Sequence, residues 1–297
     1  MMGDSAPIPD DLRQWLTGHL PGTFIAATDT SWDRETSRVW RVQTTSTVAY
    51  AKMSPSLDAF EREISGFRHA QEALVPGQSP RLLAAEPGLR AIVVTELPGE
   101  IVRHLDLSRA TETRVHRLAG SILRAWHEHP EPESARARAT LKAAMTGQAA
   151  EAAACLEHLS DELDAATRAL IGEVEQLPAL AESMPLMYLH GDFGSRNWLW
   201  HADAGDLGVI DFQEAGPGLA VQDMVWLFGA LWTSRPDLEE AFLDGYGRAL
   251  SRDEYRMLVL LTARLAVSYW STGRRNHDVV LVERGRLALA DLVRRVR

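Results

Sequence analysis

Between Leu189 and Trp198 the chain reads His190-Gly191-Asp192-Phe193-Gly194-Ser195-Arg196-Asn197, and the apolar run 207–210 that follows ends on Asp211. Glycine and serine at this density punctuate the chain, and the short apolar runs 198–200 and 207–210 on either side of a turn read as a small β-hairpin. Asp192 and Asn197 therefore project from one loop that leads into the hairpin. Asp211 places a further hard oxygen at the end of a buried strand, where it and Asn197 could together chelate a divalent cation.

The rest of the chain changes character once. Residues 23–52 carry β-branched and aromatic residues in alternation and read as antiparallel strands, after a short amphipathic helix over 11–20. A helix over 57–73 follows, then breaks at Pro76, Gly77 and Pro80, then a short buried strand over 91–95. Residues 97–100, Leu-Pro-Gly-Glu, look like a linker. Beyond them helical periodicity takes over at 108–127, 135–159 and 161–180, and after the hairpin at 219–232, 236–249, 252–271 and 277–296. Strands first, then a hinge, then mostly helices is an α+β layout with two lobes.

Composition excludes several classes. The 297 residues suffice for a sizeable core, and 45% apolar with 24% charged residues is an ordinary globular balance. No run reaches the length of a membrane span, and the first residues lack the layout of a signal peptide, so the expected location is cytoplasmic with no membrane partner. A formal net charge of -10 argues against a nucleic-acid binder. It would suit a cationic substrate as well as simple solubility. The single cysteine, Cys155, reads as a buried structural thiol. His127 and His129 lack the spacing of a helical zinc site.

Phosphoryl transfer from a nucleotide needs cations for the phosphates, oxygens to hold Mg²⁺, and a carboxylate to orient and deprotonate the attacking hydroxyl. The spacing from Asp192 to Asn197 is that of a kinase catalytic loop, where the aspartate is the base and the asparagine a magnesium ligand. The chain has 29 arginines and only two lysines, yet Lys52 ends the strand-like stretch Ala49-Tyr50-Ala51-Lys52. That suggests a site where a compact ammonium cannot be exchanged for a guanidinium.

The H-G-D-x-x-x-x-N segment, Ile210-Asp211-Phe212 and the later Asp223 resemble the aminoglycoside phosphotransferase and choline-kinase-like superfamily, in particular its antibiotic phosphotransferases. The resemblance is strongest over 186–228 and extends with weaker signals along the whole chain. It implies a protein-kinase-like two-lobed fold: a small antiparallel-sheet lobe over 1–97 that binds nucleotide, a hinge at about 95–100, and a larger helical lobe over 98–297 that carries catalysis and substrate binding. It implies Asp192 as base, Asn197 and Asp211 as Mg²⁺ ligands and Lys52 as the phosphate-binding lysine. The lysine's partner is an acid on the next helix, Glu63 with Glu61 as the alternative. Thr95, Glu96 and Leu97 would offer backbone groups to the base of ATP, or of GTP. Arg196 would either neutralise charge on the transferring group or hold Asp192 in place. His190 reads as scaffold, and Asp223 as an aspartate that bonds back to the catalytic loop. The stretch 28–37 departs from the glycine-rich loop of protein kinases: it has no glycine, and hydroxyls near Ser37 would have to replace it.

The reaction is better specified than the acceptor. The preferred reading is an ATP-dependent O-phosphotransferase acting on a small polar, cationic antibiotic, aminoglycoside-like or peptide, and so conferring resistance. A metabolic kinase of a sugar or an amino alcohol such as choline is the rival, and a nucleotide-binding pseudokinase is a third reading from another class. Glu214, three residues after Asp211, is the first candidate to meet a cationic acceptor, ahead of Asp237, Glu239, Glu240, Asp244, Tyr269 and Trp270. Monomer and homodimer are both admissible.

Overall fold

The structure, a computed structural model, describes residues 7–31, 37–129 and 134–296. Residues 32–36, half of the glycine-free stretch 28–37, lie outside the described residues. The chain divides into two compact units, Met1–Leu105 with His190–Gly216, and Asp106–Leu189 with Pro217–Arg297.

The first unit begins with α1 (Asp10–His19), followed by β1 (Phe24–Asp29), β2 (Arg38–Thr44), β3 (Val48–Met53), α2 (Leu57–Ala73), β4 (Leu82–Glu86), β5 (Ala91–Thr95) and β6 (Glu100–Ile101). The five strands β1 to β5 form an antiparallel sheet in the order β1-β2-β3-β5-β4. Alternation decides its two faces. Trp40, Val42, Ala49, Ala51, Ala91 and Val93 pack with Leu12 and Leu16 of α1 and with Leu20 just after it into one core, so their neighbours Val39, Arg41, Tyr50, Lys52 and Ile92 belong to the opposite face. The Ser56 side chain accepts a hydrogen bond from the Ala59 N–H and starts α2 where the sequence places it.

The second unit starts with α3 (Arg109–Glu128), α4 (Ala135–His158), α5 (Ala165–Gly172), α6 (Leu177–Glu182) and β7 (Met187–Leu189). The expected single helix over 161–180 is a chain of shorter pieces, α5, a 3₁₀ turn at Glu173–Gln176 and α6. Asp164 caps α5 through the Thr167 N–H, and Pro178 sits in the first turn of α6, so each piece has its own start. Cys155 is buried and free.

The chain then returns to the first unit with β8 (Trp198–His201) and β9 (Asp206–Val209), the expected hairpin; β10 (Gly216–Gly218), which follows, pairs with β7. The expected linker contributes β6, which pairs with β8 through Glu100↔Trp200 and Ile101↔Leu199 to make a three-stranded sheet. In the second unit α7 (Val225–Leu227), α8 (Pro236–Tyr246), α9 (Arg252–Asn276) and α10 (Val279–Val296) close the fold. The expected helix over 219–232 is 3₁₀ at Ala220–Met224, α7, then π-helical at Phe228–Trp232. Val221, Met224, Leu227, Phe228 and Trp232 are all fully buried and recur at roughly helical spacing, a pattern that marks a helical segment without separating its 3₁₀, α and π pieces. Among the described residues no helix is long and apolar enough to cross a membrane.

One buried group in the second unit carries a pH prediction. His116 of α3 is 4% exposed. Burial, reinforced by the Arg235 guanidinium and only partly opposed by Asp237, pushes its pKa down from 6.5 to about 4. The unfolded chain binds the proton near pH 6.5 and the folded chain only near pH 4, so stability falls as the pH drops through that window. The loss approaches about 3 kcal/mol at the acid end. Melting curves from pH 7 to pH 4 should show this acid slope in the wild type and a shallower one in His116→Asn.

Candidate active site

Every residue of the candidate cluster lies within the first unit. It is built on the β8–β9 hairpin, whose register pairs Trp198 with Val209. Asn197 precedes the first of these and Ile210-Asp211 follow the second, so the two oxygen donors leave the same open end of the hairpin. The Ile210 N–H donates to the Asn197 carbonyl at 3.0 Å and fixes that juxtaposition. Leu97 packs against Gly208 of β9, which anchors the expected hinge to the same hairpin.

The loop before β8 is held by its own polar groups. His190 is fully buried; its Nε2 donates to the Ile210 carbonyl at 3.2 Å and its Nδ1 accepts from the Asp192 N–H at 3.3 Å. Its ring packs edge-on against Phe193 and Phe212. Both nitrogens are thus spent on backbone, and His190 is scaffold. Gly191 has φ +83°, and a Cβ there would run into the Glu214 carbonyl oxygen. Only glycine satisfies both demands.

Asp192 is held from one side. Its Oδ2 accepts from Arg196 Nε at 2.9 Å, from Arg196 Nη2 at 2.6 Å and from Asn197 Nδ2 at 2.6 Å. The same Asn197 amide nitrogen donates to the Asp192 carbonyl at 2.9 Å, which leaves the Asn197 side-chain oxygen as its acceptor for other groups. Of the two roles weighed for Arg196, its contacts are those of a clamp on Asp192.

Lys52 joins the sheet to this cluster. Its Nζ lies 2.9 Å from Glu63 Oε1 and 2.7 Å from Asp211 Oδ1. Glu63 faces inward from α2 and is 2% exposed, and Ser54 Oγ donates to its other oxygen at 3.4 Å. Glu61 is exposed, so the lysine's partner is Glu63. Burial pushes the Lys52 pKa down, but Glu63 and Asp211 outweigh it and hold the ammonium charged well above its ordinary range. Burial pushes Asp211 up; the Lys52 ammonium, with His190 and the Gln213 N–H, outweighs it and holds the carboxylate below its ordinary 3.8. For Glu63 burial wins over Lys52 and Ser54, and its pKa is raised. Asp211 sits at φ +69°, a left-handed conformation uncommon for a residue with a side chain and characteristic of functional positions.

Other candidates are spread less evenly. Thr95 ends β5, where its hydroxyl accepts from the Arg81 N–H at 2.9 Å. Glu96 is engaged on the surface by Arg41, Nε to Oε1 at 3.1 Å. The Ser37 hydroxyl points to Gln213 Oε1 at 2.5 Å and the residue is 3% exposed. Glu214 is exposed and makes no ion pair among the described residues, whereas Asp237, Asp244 and Glu239 are taken by Arg235, Arg117 and Arg295. Arg284 and Arg286 cover the rings of Tyr269 and Trp270. Asp223 accepts from His127 Nε2 at 3.0 Å inside the second unit.

Sequence reasoning missed Tyr50 and Gln213. Tyr50 shares the Lys52 face and pairs with Val94, next to the start of the hinge. Strand alternation alone would have found it once Lys52 was chosen. Gln213 joins three elements through contacts remote in sequence, and no local signal marks it.

Among the described residues no three His, Cys, Asp or Glu side chains are arranged as a metal cage. The donor set on offer, one carboxylate and one amide oxygen at a hairpin end, fits Mg²⁺. That ion is held by one or two protein oxygens and completes its octahedron with phosphate oxygens and water.

A lysine shared between a helix glutamate and a strand-end aspartate, beside a loop carboxylate clamped by arginine and asparagine, defines a kinase-like phosphotransferase with a hydroxyl acceptor. The sequence pattern of the phosphotransferase enzyme family matches residues 31–260, and the chain belongs to that family. Among solved structures it is similar to APH(2″)-IIa in a ternary complex with streptomycin and ATP, at 15% identity over 96% of this chain and 97% of that one, with a TM-score of 0.65. It is similar to APH(2″)-Ib bound to ADP, at 15% identity over 96% and 98%, TM-score 0.66. It also resembles the spectinomycin phosphotransferase APH(9)-Ia in complex with ADP and spectinomycin, at 15% identity over 97% and 93%, TM-score 0.61. A search of the curated proteins finds no match. The expected fold class, superfamily and enzyme class all hold.

Proposed function

We propose that this chain is an ATP-dependent O-phosphotransferase that phosphorylates a hydroxyl of a small cationic antibiotic. The observation that carries the reading is Lys52, bound at once to Glu63 and Asp211, within a unit that also holds Asp192 with one carboxylate oxygen fixed.

The roles follow from the geometry. Lys52, drawn taut between two carboxylates, holds its ammonium where phosphate oxygens replace Asp211 as its partner. A nucleotide with its phosphates at Lys52 and its base at Thr95, Glu96 and Leu97 passes over Tyr50, which lies between them on the same face. Arg196 and Asn197 occupy Asp192 Oδ2, so Oδ1 takes the acceptor proton. The acceptor oxygen then forms its bond to the γ-phosphorus, the bond from that phosphorus to the bridging oxygen breaks, and the nucleoside diphosphate leaves with the electron pair. Asn197 and Asp211 would hold Mg²⁺, which supplies charge neutralisation on the phosphates when bound. Glu214, exposed and beside Gly191, meets an acceptor ammonium.

The acceptor class draws its support from relatives solved with streptomycin and spectinomycin and from the chain's net charge of -10. The test is a panel of aminoglycosides, peptide antibiotics, sugars and amino alcohols incubated with ATP and Mg²⁺ and read by mass. A gain of one phosphoryl group on an aminoglycoside or peptide antibiotic supports the reading. A gain confined to sugars or amino alcohols replaces it with a metabolic kinase, and nucleotide binding with no product replaces it with a pseudokinase.

A further inference from the structure

Residues 211–215 form a short irregular segment after β9, and Gln213 at its middle is bonded in three directions. Its backbone N–H donates to the Asp211 carboxylate. Its carbonyl oxygen accepts from Arg62 Nε at 3.0 Å, next to Glu63 on α2. Its side-chain Oε1 accepts from the Ser37 hydroxyl at 2.5 Å, where the chain enters β2. The helix itself lies close on the segment: a Cβ at Gly66 would stand 2.5 Å from Phe212 Cβ and 3.1 Å from Ala215 Cβ. Asp211 thus holds its left-handed backbone with support from α2 on one side and β2 on the other.

From this we propose that Gln213 is a positioning residue for phosphoryl transfer, and that its side chain ties the start of β2 to the strand end that carries Asp211. The inference rests on the assignment of Lys52 and Asp211 to the nucleotide phosphates. Lys52 stands on β3 opposite Val39 of β2, two residues beyond Ser37. The Ser37–Gln213 bond therefore fixes the spacing between the lysine's sheet and the carboxylate it shares. Ser37 is 3% exposed and Gln213 part-buried, and a hydrogen bond shielded from water is stronger and more geometrically selective than the same pair in bulk solvent. Neither residue touches the acceptor in this arrangement; both act through Asp211 and Lys52. The hydroxyl expected to serve a glycine-free phosphate loop is in this account a strut.

The experiment is a double-mutant cycle on the full chain with Gln213→Ala, Ser37→Ala and the pair. Nucleotide affinity is read by calorimetry with MgADP, and kcat and KM are read for ATP and for whichever acceptor the wild type phosphorylates. Each single variant should weaken MgADP binding about three- to tenfold, the worth of one lost hydrogen bond. It should raise KM for ATP by a similar factor and leave the acceptor KM unchanged. The pair should be no worse than either single variant. Additive effects, an unchanged MgADP affinity, or a rise confined to the acceptor KM would overturn the proposal. Melting of the nucleotide-free variants separates loss of folding from loss of positioning: a large fall in Tm that accounts for the weaker binding also overturns it. A wild type that binds MgADP but transfers nothing tells against the phosphotransfer reading, while the calorimetric cycle still decides the Ser37–Gln213 coupling.

Discussion

Asp192→Asn is expected to lower kcat by about 10²- to 10⁴-fold, the range set by loss of a general base, and to leave nucleotide affinity close to that of the wild type. Asparagine is the informative substitution because its side-chain oxygen still accepts from Arg196 and Asn197, which hold Asp192 Oδ2 at 2.9, 2.6 and 2.6 Å. The loop keeps its clamp and loses only the carboxylate oxygen proposed to take the acceptor proton. Asp192→Ala removes both, so it should lose at least as much turnover and also some stability. The signature is therefore a fall in kcat with KM for ATP nearly unchanged, measured in steady state with a saturating acceptor. Turnover within a few-fold of wild type in Asp192→Asn would remove Asp192 from the chemistry.

Asp211→Asn acts on a different quantity. The Asp211 carboxylate meets Lys52 at 2.7 Å and stands beside Asn197 at the open end of the hairpin. Its replacement should abolish the Mg²⁺ dependence of nucleotide binding and lower kcat/KM by about a thousandfold or more, as expected if the charge proposed to anchor the metal is lost. It also changes stability with a defined sign. The folded-state pKa lies below the ordinary 3.8, so the carboxylate stabilises the fold above that value and its contribution disappears as the pH falls through the lowered one. The variant should be less stable than wild type at neutral pH by about 1–3 kcal/mol, the worth of a charged hydrogen bond, and should converge on it in acid. Chemical unfolding at pH 7 and at a series of pH values descending from 3.8 checks both halves.

The parts of this molecule that were legible in sequence are those whose chemistry is local. The hairpin around Asp192, Asn197 and Asp211 could be read because glycines, short apolar runs and oxygen side chains fall within some two dozen residues. Lys52 stood out because lysine is so scarce in this chain. Glu63 could not be separated from Glu61 by sequence, since the choice depends on which face of α2 meets the sheet, and the inward face is visible only in the fold. Strand β4 was missed because Leu-Leu-Ala-Ala-Glu has no β-branched residue; its pairing with β5 makes it a strand. Gln213 and Ser37 meet across 176 positions, a contact that no local pattern announces. Residues 220–232 are helical as the periodicity implied, but their division into 3₁₀, α and π pieces leaves no mark in the hydrophobic pattern.

The most direct test of the central claim is the position of the metal. Crystals grown with Mn²⁺ in place of Mg²⁺ and a non-hydrolysable ATP analogue should show an anomalous peak about 2.0–2.3 Å from an Asp211 carboxylate oxygen and the Asn197 side-chain oxygen, with Lys52 Nζ on the analogue's phosphates. A peak that avoids both residues, or phosphates bound away from Lys52, would contradict the account.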